Sequence, residues 1–85
     1  MGPRRLLERL RRGAVSNVRF RDLVRLVEAL GFELQRTSGS HHIFAHPAVP
    51  ELLNLQDVAG EAKPYQIRQL LRLMERYSLS LEVEW

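Results

Sequence analysis

Phe32-Glu33-Leu34-Gln35-Arg36-Thr37-Ser38-Gly39-Ser40-His41-His42-Ile43-Phe44-Ala45-His46 is the stretch in which the chain changes its hydrophobic period. Just upstream, Phe20, Leu23, Val24, Val27 and Leu30 recur at spacings of three and four, which makes one stripe along a helix over 20–30. From Phe32 the period drops to two. Phe32 and Leu34 fall on one face and Glu33 and Gln35 on the other, which predicts a half-buried strand over 32–36. Thr37-Ser38-Gly39 predicts a turn, and Ser40 to His46 the returning strand of a hairpin. Ile43 and Phe44 are adjacent in that strand and so point to opposite faces. Pro47 and Pro50 have no N–H to give a ladder, which predicts that the strand ends near His46 and a loop follows.

Downstream of the hairpin, Leu52 to Gln56 predicts a third strand, and residues 57–62 a loop. Pro64 suits the first turn of a helix that runs to about Tyr77, with Ile67, Leu70, Leu71 and Met74 facing inward. The tail alternates Leu79, Leu81, Val83 and Trp85 against Ser78, Ser80, Glu82 and Glu84, the pattern of a strand that adds to a sheet edge or to another chain. On the other side of the hairpin, Ser16 and Asn17 are expected to cap the 20–30 helix, and Gly31 to stop it. A further helix is expected over Arg4 to Arg12, ended by Gly13, with Leu6, Leu7 and Leu10 as its apolar stripe. The expected organisation is a basic helical extension over 1–17, a folded domain over 18–79 and a strand-like tail over 80–85. The fold class is α+β: a three-stranded antiparallel sheet packed by two helices. Helix, three strands, helix is also the order of the double-stranded RNA-binding domain.

Composition narrows the function. Eighty-five residues make one small domain. Cysteine is absent, which removes a disulfide scaffold, a thiolate metal site and thiol chemistry. No apolar run approaches the roughly 20 residues of a membrane helix, and no apolar core follows the basic N-terminus to make a signal peptide. The expected location is therefore the cytoplasm, with no membrane partner. Net charge is +3, but it is unevenly spread: residues 1–36 hold nine arginines and four acids, whereas residues 37–85 hold four bases and six acids. Twelve of the thirteen bases are arginine, whose planar fork suits phosphate, so a nucleic acid is the first partner to consider. A solvated helix face is the competing reading.

The three histidines, His41, His42 and His46, lie within six positions. By strand alternation His42 and His46 share a face with Phe44, and His41 points the other way with Ile43 and Ala45. Three roles compete. A metal site on His42 and His46 lacks a clear third ligand. A hydrogen-bonded structural role is open to each. The third role is acid–base catalysis, for which imidazole is the side chain best placed near neutral pH. RNA cleavage asks little: the 2′-OH is an internal nucleophile, and one base with a cation beside the phosphate is enough, without metal or cofactor. No carboxylate pair, nucleotide-binding glycine loop or nucleophile–base–acid order stands out.

Phe20-Arg21-Asp22-Leu23, Leu30-Gly31-Phe32, Gly39-Ser40-His41-His42-Ile43-Phe44 and His46-Pro47 together resemble the HicA family of toxins. Leu53-Asn54-Leu55-Gln56, Gly60 and Lys63-Pro64-Tyr65 continue the resemblance to about Leu79. It implies a double-stranded RNA-binding-like fold, a metal-independent ribonuclease acting on mRNA, and a HicB antitoxin that binds the toxin and occludes its site. The family's catalytic histidine follows the hairpin Gly-Ser pair, which is His41 here, with His42 as the alternate. Gly39 would permit the turn, and Arg36, Ser40, His42 and Lys63 would hold RNA or its phosphates. The Arg-rich N-terminal helix is an addition to the common family pattern. Asn54-Leu55-Gln56 stands where many members have a proline and a further histidine.

Overall fold

The computed structural model describes residues 1–81. The elements in chain order are α1 (Pro3–Arg11), α2 (Phe20–Ala29), β1 (Glu33–Ser38), β2 (His41–His46), β3 (Val49–Val58), β4 (Glu61–Ala62) and α3 (Pro64–Arg76). The strands form one antiparallel sheet in the order β1-β2-β3-β4, and the helices cover one of its faces. The fold is α+β and compatible with the double-stranded RNA-binding type, with a short fourth strand added.

Leu23, Leu26, Val27 and Leu30 of the α2 segment, Ile67 and Leu70 of α3, and Phe44, Leu53 and Leu55 of the inner sheet face are fully buried in one core. Leu6, Leu7 and Leu10 of α1 belong to that same core. Burying each such leucine is worth about 1.5–3 kcal/mol, so α1 is held by its apolar stripe. Gly13 and Gly31 follow α1 and α2 at φ +88° and +102°, the left-handed stops expected of them. Tyr77, just past α3, donates to Glu51 Oε2 at 2.6 Å, and that bond raises the phenol above its ordinary range.

Several expectations are corrected. The first turn is Gly39-Ser40, because Thr37 and Ser38 still pair with His42 and His41. Gly39 sits at φ +59°, a conformation that a residue without Cβ accepts at no steric cost. Leu34 is opposite the buried Phe44 yet is 47% exposed, because β1 is the edge strand and lies beyond the cover of the helices. The third strand is longer than 52–56 and contains Pro50, which sits where the β2–β3 register shifts between Phe44 and His46. A bulge leaves room for a residue that cannot donate to the ladder.

Residues 57–62 are a hairpin and not a loop. Val58 pairs with Glu61 around Ala59 and Gly60, which have φ +52° and +84°. Both central residues of a tight primed turn need positive φ; alanine at the first of them hides the signal in the sequence. Asp57 offsets this by accepting the Gly60 N–H at 2.7 Å. β4 is also tied on its other side, through Ala62 N–H to Val18 O and Phe20 N–H to Gly60 O, both at 2.9 Å. The N-cap of α2 is Arg19, with no side-chain cap, so neither Ser16 nor Asn17 takes that role. Asn17 instead turns the chain at φ +58°. Leu79 to Leu81 form no strand, and the remainder of the predicted tail strand, 82–85, lies outside the described residues.

Candidate functional site

Pairing across the hairpin sorts the histidines as their alternation predicts. On the inner face His42 lies between Thr37 and the buried Leu55. Its ring is tilted against Phe20 with centroids 4.8 Å apart, and its Nδ1 lies 3.1 Å from Ser40 O. A carbonyl only accepts, so Nδ1 donates. His46, at the other end of β2, has both nitrogens engaged. Nε2 donates to Leu30 O at 2.9 Å, and Nδ1 accepts the Ala48 N–H at 2.9 Å. These two bonds require the neutral ring with its proton on Nε2. The ring also meets Phe32 edge-on at 5.0 Å. His46 therefore ties the end of α2 to the β2–β3 turn.

His41 is on the outer face and exposed. Two cross-strand rows surround it: Ser38–His41–Gln56 and Arg36–Ile43–Asn54. Its Nδ1 lies 3.1 Å from Asn54 Oδ1. An amide oxygen accepts, so the ring gives its Nδ1 proton to Asn54, and Nε2 carries the lone pair that faces solvent. Arg36 is diagonal to His41 on the same face, a separation of about 7–8 Å between the two backbones, within reach of a guanidinium.

Ser40 occupies the turn and is anchored three ways. Its carbonyl accepts from Asp57 N–H at 2.9 Å and from the His42 ring, and its Oγ receives Gln56 Nε2 at 3.4 Å. Gln56 is itself held from α3, since its backbone N–H donates to Oε1 of the buried Gln66 at 2.8 Å. The hairpin tip is thus braced through β3 to the second core helix.

The structure brings His41, Arg36, Gly39 and Ser40 to one end of the outer face. His42 is adjacent in sequence but turned to the core. Lys63 is the N-cap of α3, on another element, and among the described residues it makes no hydrogen bond or ion pair to the hairpin. Two residues gain importance from the fold: Asn54, which orients His41, and Gln56, which braces Ser40. Their sequence signal is the alternation Leu53-Asn54-Leu55-Gln56, which puts both amides on the face opposite the core. Among the described residues no group of three or more His, Cys, Asp or Glu side chains could hold a metal ion.

Compared with known families, residues 20–75 match the family described as the HicA toxin of bacterial toxin-antitoxin. That span holds α2, the whole sheet and nearly all of α3.

The chain belongs to the HicA family.

Neither the curated proteins nor the solved structures gave a match. Family membership makes this chain the toxin of a toxin–antitoxin pair, with an antitoxin as its partner. α1 lies outside the matched span, although its leucines complete the core beneath it.

Proposed function

We propose that this HicA protein is a cytoplasmic, metal-independent endoribonuclease that cuts mRNA, with His41 as its acid–base residue. The observation that carries this reading is the pairing of His41 Nδ1 with Asn54 Oδ1, which leaves Nε2 facing solvent on an open sheet face. In the reaction Nε2 takes the proton from a ribose 2′-OH. The 2′-oxygen attacks the adjacent phosphorus, the bond to the 5′-oxygen breaks, and that oxygen is protonated from the imidazolium or from water. The products are a 2′,3′-cyclic phosphate and a 5′-hydroxyl. Arg36 stabilises the charge that builds on the phosphate. Gly39 and Ser40 set the turn that presents His41, and the Ser40 Oγ offers a hydrogen bond to a phosphate oxygen. The antitoxin is of the HicB type and inhibits by covering this face. The contact of His42 with Phe20 and Ser40 supports a structural role for that ring, although His42 is the alternate base by its position.

The test is incubation of wild-type, His41→Ala and His42→Ala proteins with end-labelled RNA in EDTA. Cleavage by the wild-type and His42→Ala proteins, with a loss of about 10²- to 10⁴-fold in His41→Ala, is the expected result. Equal cutting by His41→Ala would sink the assignment. Binding without cleavage by all three would favour a non-catalytic RNA-binding module that reads duplex shape.

A further inference from the structure

We infer that the exposed face of α1 is a second RNA-backbone surface, separate from the hairpin and on the opposite side of the molecule. The inference rests on the ribonuclease reading above for its choice of RNA as the polyanion.

α1 carries four arginines on nine residues with a fifth, Arg12, at its C-cap, and its leucine stripe is spent on the core. Arg9 is committed to structure: its guanidinium donates to Ser16 O and Asn17 O, closing the connection to α2. Arg4, Arg5 and Arg11, with Arg12 at the C-cap, are exposed and make no ion pair or side-chain hydrogen bond among the described residues. Glu8 is the single acid on the helix. Arg11 shares a groove with Leu10, Leu71 and Met74 and with Arg68 and Glu75 of α3, so a basic residue of a second helix lies beside the strip with one acid next to it.

The position of this strip decides what it does. α1 rests on α2, and α2 on the inner face of the sheet. His41 looks out from the outer face. A short strand seated on His41 therefore cannot touch α1 without passing around a body 32 × 28 × 21 Å across. The arginines hold a different stretch of RNA from the one at the hairpin: a distant segment of a long strand, or the flank of a folded one. Arginine forks meet phosphates without regard to base, so the contact is sequence-independent and salt-sensitive. The surface would concentrate the toxin on long RNA and leave the chemistry at His41 unchanged.

The experiment measures binding in the His41→Ala background, so that RNA stays intact and success does not depend on cleavage. The His41→Ala protein is compared with the same protein carrying Arg4, Arg5, Arg11 and Arg12→Gln, after thermal melts have checked that both are folded. Labelled probes are a short single strand and a long structured RNA, over a series of salt concentrations. For the long RNA the Gln variant is expected to bind at least about tenfold more weakly at low salt, with a log–log salt slope smaller by about three. The short strand should bind both proteins alike. An unchanged slope on the long RNA would overturn the inference. Equal weakening on both probes would also overturn it, since the arginines would then act at the hairpin. So would loss of binding to anionic lipid vesicles with RNA binding intact. In the wild-type background, the four changes should raise KM on long RNA and leave kcat unchanged.

Discussion

The two ends of β2 carry the same side chain in opposite circumstances. At one end His46 has both ring nitrogens bound, one to Leu30 O and one by Ala48 N–H, and its ring lies against Phe32. At the other end His41 has one nitrogen held by Asn54 and the other open to solvent. Five positions and one change of face separate a histidine that fastens the fold from one that is oriented yet available. An imidazole does chemistry when one nitrogen is fixed and the other is left free; fixing both makes it a strut.

Removing His41 tests both properties at once. Cleavage should fall by the large factor given above, while stability stays within about 0.5 kcal/mol, as for other exposed positions. His46→Ala should do the reverse. Losing two hydrogen bonds and an aromatic edge contact is expected to cost about 2–3 kcal/mol in urea unfolding, with cleavage per folded molecule retained. If His46→Ala abolished cleavage in the folded protein, the division between the two ends would be wrong. Asn54→Leu removes the group that orients His41. Without the amide the ring of His41 loses its fixed tautomer, and cleavage should drop about tenfold, the worth of one hydrogen bond, with little change in melting temperature. Gly39→Ala should have the smallest effect. A Cβ there would meet no atom within 4 Å, so the cost is the left-handed backbone alone, about 1 kcal/mol by denaturation.

Much of this was legible beforehand because it depends on near neighbours in sequence. The three helices, the hairpin and the division of His41 from His42 all follow from periods of 3.6 and two. What was not legible depends on partners distant in sequence. β4 forms because Val18 and Phe20 cover its outer side, and the Ala59-Gly60 turn lacks the residues that usually mark such a turn. Pro50 reads as a strand breaker, yet it is tolerated at a bulge set by pairing with β2. Leu34 alternates with Phe32 as a core residue should, but only the placement of the helices decides that β1 is left uncovered.

The site divides in the same way. The sequence alone placed a glycine turn before His41 and put that ring on the face opposite Phe44, because strand alternation is a local rule. It also supplied an arginine-rich helix with a leucine stripe, since both follow from composition and helical spacing. Long-range packing is what brings Asn54, thirteen residues away, to the Nδ1 proton of His41, and Leu30 and Ala48 to the two nitrogens of His46. It alone also set α1 on the helical side of the sheet, opposite the face that carries His41. Register and packing, which join residues distant along the chain, fix those distances, and no local pattern encodes them.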